Sequence, residues 1–333
     1  MPAMELVCPA GSLPALRAAV DHGADAVYVG FRNQTNARGF PGLNFDDKGM
    51  GRGVEYARRR GTRVFLALNT FAQAGRGRMW RDAVDAAADL GLDAVIAADL
   101  GVLDHASRHH PDLPLHLSVQ ASATTPAALR FYRDAFGVRR AVLPRVLAMR
   151  QVEALAAERP LELEVFGFGS LCIMVEGRCL LSSYATGESP NTHGVCSPAA
   201  HVRWSERAGR RESRLGGVLI DRYAPEEPAG YPTLCKGRFR VGDDVYHALE
   251  EPTSLNTLDL LPRLLATGIA AIKIEGRQRS PAYVAQVTAI WRRAIDAVQR
   301  GATVPEDPEA RAQLSRLSEG SQTTLGAYDR RWQ

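Results

Sequence analysis

The feature that most restricts the fold of this chain is a regular alternation of short apolar segments and amphipathic helical segments. Eight of the apolar segments have the length and composition of buried strands. Strands that alternate with helices build a parallel sheet through right-handed crossovers, and eight such units close into a barrel. We therefore predict an α/β fold, a (β/α)8 TIM-like barrel, with a doubly wound open sheet as the alternative. The predicted strands are Glu5–Pro9, Ala26–Gly30, Val64–Asn69, Ala94–Asp99, Leu115–Gln120, Ala141–Arg145, Leu163–Gly167 and Ala270–Glu275.

Capping residues mark the helices between these strands. Ser12 is suited to begin the first helix and Gly23 to end it, and Thr125 precedes a proline at the start of another. The sequence contains no G-x-G-x-x-G or G-x-x-x-x-G-K-[ST] motif, which weakens a nucleotide-binding interpretation. The predicted helices are Leu13–His22, Met79–Leu90, Pro126–Phe136, Leu258–Thr267 and Pro281–Gln299.

One interval interrupts the alternation. Residues 171–257 follow the seventh predicted strand and contain candidate hairpin strands at Val218–Asp221 and Phe239–Val241. So long an insertion is usually functional, and it begins at the carboxyl end of a strand, which is the catalytic face of barrel enzymes. We predict that it forms a lid or subdomain over the barrel mouth. The chain then divides into residues 1–170 with the first seven units, 171–257 as the insertion, 258–300 closing the barrel, and 301–333 as a C-terminal tail.

The insertion holds four of the five cysteines: Cys172, Cys179, Cys196 and Cys235. Four thiolates satisfy an iron–sulfur cluster, and they also satisfy a closed tetrahedral zinc site. Zinc ribbons usually take their cysteines in close pairs, and the intervals of 6, 16 and 38 residues here contain no such pair. The spacing therefore favours a cluster. Four unrelated buried thiols, or disulfides in an oxidising compartment, are the other interpretations.

Polar residues at the ends of the predicted strands are candidates for a pocket. Two guanidinium groups at the barrel mouth would suit a dicarboxylate, because arginine binds carboxylates through paired hydrogen bonds. The structural alternative is a salt bridge of Glu275 with Arg145 or Arg277. We predict that Arg145, Glu275 and Arg277 are catalytic and that Asn36, Asn69, Gln120 and Ser122 bind substrate.

Composition limits the other functional classes. The apolar fraction of 45% is sufficient for a large core, and no apolar run approaches the roughly 18 residues of a membrane helix. The formal net charge of +4 comes from arginines interleaved with acidic residues, so composition does not indicate a nucleic-acid binder. The densest basic run, Arg58–Arg60, suits a solvated helix face. The first residues lack the features of an export leader, so we expect a cytoplasmic protein.

Several other residues favour structural roles. Cys8 lies within the first predicted strand, where it suits a small core residue. His109 and His110 end a helix, where the helix dipole favours them. His193, three residues before Cys196, suits either a turn or a contact to the metal site. The tryptophans that suit packing or an interface are Trp204, Trp291 and Trp332.

Short motifs lie over nearly the whole chain, at the ends of the predicted strands and around the cysteines. They are Glu5–Gly11, Gly23–Tyr28, Thr35–Arg38, Ser118–Ala123, Val142–Arg145, Phe168–Met174, Glu176–Cys179, Thr186–Asn191, Tyr231–Gly237, His247–Asn256, Lys273–Arg277, Ser318–Gly320 and Thr323–Tyr328. Together they resemble the collagenase-like peptidase U32 family, and those around the cysteines look most like its branch in oxygen-independent ubiquinone synthesis. The peptidase name itself has no support here, because the sequence offers no G-x-S-x-G elbow and no evident Ser/His/Asp set.

The resemblance carries functional expectations. It implies hydroxylation of the aromatic ring of ubiquinone precursors without O2, by a heterodimer with a UbiV-like paralogue. It also implies a UbiT-like lipid-carrier protein as an associated factor and prephenate as the source of the hydroxyl group. Its cofactor would be a [4Fe–4S] cluster bound by Cys172, Cys179, Cys196 and Cys235.

The same family leaves other functions open. Some relatives hydroxylate RNA bases, so an O2-independent RNA-base hydroxylase is the alternative. An additional RNA-binding domain or a basic face with exposed aromatic residues would favour it, and the sequence shows no basic block. A peptidase and a non-catalytic zinc scaffold are the remaining hypotheses.

Overall fold

A computed structural model describes residues 3–329 of the chain, which alternate between strands and helices as the sequence predicts. The strands are β1 Glu5–Pro9, β2 Ala26–Val29, β3 Arg63–Leu68, β4 Ala94–Ala97, β5 Leu115–Leu117, β6 Val138–Val142, β7 Glu162–Ser170, β8 Val202–Arg207, β9 Arg210–Leu215, β10 Val218–Tyr223, β11 Phe239–Val241, β12 Asp244–Tyr246, β13 Ser254–Asn256, β14 Ala271–Ile274 and β15 Thr323–Thr324.

Eight of these strands, β1 to β7 and β14, form a closed parallel barrel. Each of β1 to β6 pairs with its successor, and β14 pairs in parallel with both β7 and β1. Ala271 lies opposite Glu164 on one side and Glu5 on the other, so the ring closes through β14. The predicted (β/α)8 barrel is confirmed, and the open doubly wound sheet is wrong.

Helices cover the outside of the barrel. Each predicted helix is present, and the capping groups act as expected, since the hydroxyls of Ser12 and Thr125 accept hydrogen bonds from the N–H groups of Ala15 and Ala128. The helices are α1 Leu13–Asp21, α2 Asp47–Arg58, α3 Arg78–Asp89, α4 Leu100–His109, α5 Pro126–Phe136, α6 Met149–Ala157, α7 Leu181–Thr186, α8 Pro190–His193, α9 Leu261–Thr267, α10 Pro281–Gln299 and α11 Pro308–Leu317.

Most strands differ from their predicted bounds by one to three residues, and two of the differences bear on the site. β6 ends at Val142 and not at Arg145, because Pro144 has no N–H to donate to a strand ladder. β7 continues to Ser170, which pairs with Ser254 of β13. As a consequence, Cys172 follows the end of β7 by only two residues.

The apolar core lies between the barrel and its helices. Trp291 is fully buried there, which confirms the packing role predicted for it, whereas Trp332 lies outside the described residues. Cys8 is also fully buried, and its sulfur accepts a hydrogen bond from the Thr288 hydroxyl at 3.2 Å. Burial raises the pKa of the Cys8 thiol to about 12, so the predicted role as a small core residue is confirmed.

The insertion has its own small sheets. Strands β8, β9 and β10 form an antiparallel sheet, and β11 pairs with β12. The two predicted hairpin segments therefore belong to different sheets. β13 then returns to pair with β7, and β15, from the predicted tail, pairs with β13. Within residues 3–329, no helix combines the length and apolar character needed to cross a membrane.

Candidate functional site

A cavity of about 60 Å³ lies inside the mouth of the barrel. Its apolar walls come from the strands, and its polar groups come mainly from segments just beyond the carboxyl ends of β2, β3, β5, β6 and β14. This is the face on which barrel enzymes carry their active sites. The polar lining consists of Tyr28, Arg38, Asn69, Ser118, Gln120, Arg145, Lys273, Glu275 and Arg277.

Five of the seven predicted pocket residues line this cavity, and the other two contact groups next to it. Asn36 is fully buried; its amide donates to the Phe31 carbonyl, and its oxygen accepts a hydrogen bond from Arg277 at 2.9 Å. The Ser122 hydroxyl donates to the backbone carbonyl of Glu176, in the insertion. In this structure Asn36 and Ser122 thus orient other groups of the site. The five that line the cavity are Asn69, Gln120, Arg145, Glu275 and Arg277.

Arg145 forms a buried ion pair that the sequence analysis missed. Its partner is Glu176 of the insertion, which accepts hydrogen bonds from the Arg145 side chain and, at 3.3 Å, from its backbone N–H. Arg145 also donates to the Ser170 carbonyl. Burial alone would lower the pKa of Arg145, but the Glu176 carboxylate raises it above the ordinary value. The pair joins the ends of β6 and β7 to the insertion.

Glu275 pairs with a different arginine from those expected. Its carboxylate lies 3.3 Å from the Arg38 guanidinium and accepts a hydrogen bond from the Ser170 N–H at 3.2 Å. The expected pairing with Arg145 or Arg277 is therefore wrong. Burial alone would raise the pKa of Glu275, but the charges of Arg38 and Arg145 lower it below its ordinary value. Glu275 is consequently an anion at neutral pH.

Arg277 is the least satisfied cation in the cavity. It is buried, and it donates to the Asn36 side chain and to the Ala37 carbonyl. Its Nη1 has no hydrogen-bond partner within residues 3–329. Burial lowers the pKa of Arg277 to about 10. A buried donor without a partner is costly, so Arg277 stands out among the cations that line the cavity.

Lys273 also lines the cavity, although it was not among the predicted site residues. It lies on β14, two residues before Glu275 and four before Arg277, so the strand alternation directs all three into the barrel. Its amine lies 2.6 Å from the buried Glu164 carboxylate and 4.2 Å from the centre of the Tyr28 ring. Period-two spacing in the sequence was the signal that could have found it.

The four cysteines of the insertion come together beside this cavity. Cys172 follows β7, Cys179 precedes α7, Cys196 follows α8, and Cys235 lies in a short 3-10 turn. Cys235 is close enough for the charge of each of the other three thiolates to raise its pKa, after the larger effect of burial. Burial also raises the pKa of Cys196, and the nearby charge of Arg38 opposes that rise. The cysteines are therefore close enough to charged groups of the cavity to interact with them, although none of the four lines the cavity itself.

The spacing of the sulfurs distinguishes between metal centres. Tetrahedral zinc with bonds of about 2.3 Å holds its sulfurs about 3.8 Å apart. Among residues 3–329, no three of these sulfurs lie within 4.8 Å of one another. A cluster of four irons and four sulfides holds its ligands farther apart than a single ion does. The four thiols therefore do not form a preformed tetrahedral zinc site in this structure, and the identity of the metal centre that they hold stays a prediction.

Two glycines allow the cysteine segment to contact the barrel. A Cβ atom at Gly177 would lie 2.0 Å from the Gln120 carbonyl oxygen, and one at Gly194 would lie 2.3 Å from the Asn36 carbonyl oxygen. Both glycines have φ of +81°, a conformation that other residues rarely adopt. The Gly194 carbonyl accepts a hydrogen bond from the Arg38 N–H at 2.8 Å. These contacts fix the insertion against the loops that carry the cavity residues.

His193 lies between these two parts of the site. It is the last residue of α8, and its Nδ1 is 3.1 Å from the Thr192 hydroxyl. This places it in the turn that the sequence suggested. A contact to the metal centre stays a prediction.

The outer sheet of the insertion carries a basic surface, which we call the arginine face. The register pairs Arg203 with Arg214 and Arg207 with Arg210 directly across β8 and β9. Opposed like charges destabilise a sheet, so this arrangement is better suited to an anionic partner than to the free protein. Buried Glu212 is the acidic member of the face, and it pairs with Arg214 and Arg222. The arginine face consists of Arg203, Arg207, Arg210, Arg214 and Arg222.

This surface adjoins the cysteine site. β8 begins six residues after Cys196. The opposite side of the sheet packs through Leu215 and Ile220 against Leu234, the neighbour of Cys235. Trp204, on that opposite side, is 43% exposed at the edge of the sheet. The strand alternation hid this basic surface in the linear sequence, where acidic residues separate the arginines.

Comparisons with known proteins identify similar sequences. The sequence profile of peptidase family U32 matches residues 11–330. The chain is 30% identical to tRNA hydroxylation protein P of Escherichia coli (strain K12), with 89% of the chain and 69% of that protein covered. It is 30% identical to tRNA hydroxylation protein P1 of Bacillus subtilis (strain 168), with 88% and 63% covered.

A third relative is the 23S rRNA 5-hydroxycytidine C2501 synthase of Escherichia coli (strain K12). It is 29% identical, with 95% of the chain but 42% of that protein covered. The chain thus spans about two thirds of the length of the first two relatives and less than half of the third.

Proposed function

This chain belongs to peptidase family U32, and from that premise we propose that it is an iron–sulfur component of an O2-independent hydroxylase that acts on RNA bases. The similar proteins named for tRNA and rRNA hydroxylation support this substrate over the ubiquinone precursors expected first. The observation that carries the proposal is the arginine face, because it lies on the same insertion as the four cysteines.

The proposed cofactor is a [4Fe–4S] cluster held by Cys172, Cys179, Cys196 and Cys235. When bound, such a cluster supplies one-electron transfer at a potential set by burial and hydrogen bonding. Cys196 and the neighbouring Arg38 are the groups of this chain that would tune it.

The residues of the cavity have separate proposed roles in binding and positioning the substrates. Arg277 has a free donor for an anionic co-substrate, for which we propose prephenate. Asn69 and Gln120 line the cavity with amide groups that suit the polar edge of a ring. Tyr28 and Phe166 provide aromatic walls that exclude water from the ring. Glu275 stays ionised and holds Arg38 in place.

Peptide hydrolysis has no comparable support in this cavity. Ser118 is a possible nucleophile by residue type, but the cavity lining within residues 3–329 includes no histidine to act as its base. His116 lies on β5, buried against Phe65, with a ring-centre distance of 4.8 Å.

Ring hydroxylation of ubiquinone precursors is the second candidate. The motifs around the cysteines favour it, since Phe168–Met174 and Tyr231–Gly237 resemble the ubiquinone biosynthesis protein UbiU. In that case we propose a heterodimer with a UbiV-like paralogue and delivery of the quinone precursor by a UbiT-like carrier. The same cavity and cluster would serve a phenol ring in place of a base.

Deleting the gene separates the two candidates. We expect anaerobically grown cells that lack the gene to lose one nucleoside that carries an added oxygen atom, because no other enzyme would then hydroxylate that base. Mass spectrometry of RNA digests and of extracted quinones from the same cultures gives the readout. Normal nucleosides together with accumulation of an under-hydroxylated quinone precursor would reject the RNA substrate and support the second candidate.

The arginine face predicts a salt-dependent contact with RNA. The triple variant Arg203→Gln, Arg207→Gln and Arg210→Gln should bind RNA more weakly, with the slope of log K against log salt concentration reduced by about 2 to 3. This follows because each lost phosphate contact removes about 0.7 to 0.9 of slope. The measurement is RNA binding over a series of salt concentrations.

A matched variant removes the same charge elsewhere. Arg58, Arg59 and Arg60 lie at the end of α2, on the outside of the barrel. Their replacement by glutamine should leave the slope unchanged. An equal reduction of the slope in both triple variants would mean that RNA responds only to total charge. An unchanged slope in the variant of Arg203, Arg207 and Arg210 would show that RNA does not bind to the arginine face.

A further inference from the structure

A group of three metal-ligating side chains lies far along the chain from the four cysteines. Asp85 is on α3, His105 is on α4, and His110 directly follows the end of α4. Their ligand atoms all lie within 4.8 Å of one another, and none belongs to the cavity described above. The packing of α3 against α4 fixes the three side chains from two rigid elements.

The geometry of the group converges on one point. The Nε2 atoms of His105 and His110 lie 2.8 Å and 2.7 Å from the same oxygen of Asp85. The side chains are 14%, 24% and 45% exposed for His105, His110 and Asp85, so a hydrated ion can reach them from solvent. Two imidazoles and one carboxylate form a donor set that binds zinc with a fourth position left for water.

A third imidazole stands beside this group. The His109 ring stacks on that of His105, with centres 4.3 Å apart, and its Nδ1 is 3.0 Å from the His105 carbonyl oxygen. His109 therefore packs against one ligand of the site and is not itself one of the three converging side chains. The negative end of the α4 dipole is located here as well, and it favours a bound cation.

We propose that Asp85, His105 and His110 form a surface site for a divalent transition metal, with Zn²⁺ as its natural occupant. The metal takes the place of the hydrogens that now lie between the two Nε2 atoms and Asp85. Each imidazole then carries its hydrogen on Nδ1. The site links α3 to α4 and does not depend on the cysteines or on the substrate of the barrel.

This assignment changes how a metal analysis is interpreted. One zinc per purified chain would ordinarily suggest that zinc occupies the cysteines. If zinc resides at Asp85, His105 and His110, the same measurement is compatible with a cluster at the cysteines. Sulfide content and variants of each site are then required to assign the two metals.

Zinc titration of full-length protein that retains its cluster, freed of other metal by a mild chelator, tests the site. We expect one equivalent of Zn²⁺ to bind with an affinity reduced about tenfold or more by either His110→Ala or Asp85→Asn. The expectation is conservative, because the loss of even a residue that only supports a metal ligand lowers the metal affinity about 10- to 100-fold. Binding should also weaken from pH 8 to pH 6, because protons compete for the imidazoles. The matched control is His22→Ala, which removes an exposed histidine elsewhere and should leave the affinity unchanged.

Cobalt identifies the donor atoms. Co²⁺ bound at this site should give absorption typical of nitrogen and oxygen ligands, without the strong charge-transfer band of a thiolate. His110→Ala should remove this spectrum, and Cys196→Ala should preserve it. Zinc binding that is unaffected by His110→Ala and Asp85→Asn, or a thiolate band that disappears with Cys196→Ala, would overturn the proposal.

Discussion

Replacing Cys196 by alanine should eliminate the iron–sulfur cluster and, with it, hydroxylation. We expect wild-type protein purified without oxygen to contain about four irons and four sulfides per chain, and the variant to contain almost none. The reason is the position of Cys196, whose sulfur lies among the other three thiols and beside Arg38 and Glu275. Iron, sulfide and zinc analysis, with absorption and EPR spectra, measures the outcome.

The fifth cysteine provides the control. Cys8 is fully buried on β1, remote in sequence from the insertion, and its sulfur contacts Thr288. Cys8→Ala removes a thiol from the core, at a modest cost in stability, and should retain full iron and sulfide. A Cys196→Ala variant that keeps its cluster would contradict the assignment. Zinc without sulfide in wild type, lost on Cys196→Ala, would instead identify a zinc scaffold.

The barrel was predictable because its signals are local. Each strand is a short apolar run, and each helix begins at a cap such as Ser12 or Thr125, so neighbouring residues are sufficient to identify them. Helices with weaker signals were missed. α2 contains three glycines, and α6 is preceded by Ala148, whose N–H donates to the side chain of Gln151 in place of a capping side chain. Tertiary packing stabilises these two more than their intrinsic propensity does.

The cavity was only partly predictable, because its charges are satisfied over long distances in the chain. Strand-end position was sufficient to find Arg277 and Glu275. It did not show that Glu275 pairs with Arg38, since 237 residues separate them. Asn36 was correctly placed near the site, but its buried amide contacts Arg277 and not the cavity. Which of several charges pair is decided by packing between loops, which no local pattern encodes.

The arginine face is a basic surface that composition did not reveal. The net charge of +4 is small, and acidic residues interrupt the arginines of the insertion. In the sheet, alternation places Arg203 and Arg207 on one side and Glu206 on the other. A linear charge count averages the two sides. The basic face, which would favour the proposed RNA substrate, was therefore encoded in the sequence, but only a correct assignment of β8 and β9 made it visible.

Replacing Glu176 by alanine should be the most destabilising single change at the mouth of the barrel. The Arg145 and Glu176 side chains are 7% and 1% exposed, so the variant leaves a buried guanidinium without its carboxylate. Breaking such a pair costs about 3–5 kcal/mol. We expect the insertion to detach and the cluster to be lost at a lower urea concentration. Circular dichroism and cluster absorbance, followed in the same urea series, measure both effects.

The double variant Arg145→Met with Glu176→Leu distinguishes a structural from a catalytic arginine. Apolar residues of similar volume often replace a buried ion pair without loss of stability. We therefore expect the double variant to regain the wild-type urea midpoint and its cluster. Because Glu176 and Ser170 already occupy the donors of Arg145, hydroxylation should stay within about tenfold of wild type, a barrier change of about 1.4 kcal/mol. A stable, cluster-loaded double variant that has lost hydroxylation entirely would establish that Arg145 acts on the substrate, as its place at the end of the sixth predicted strand first suggested.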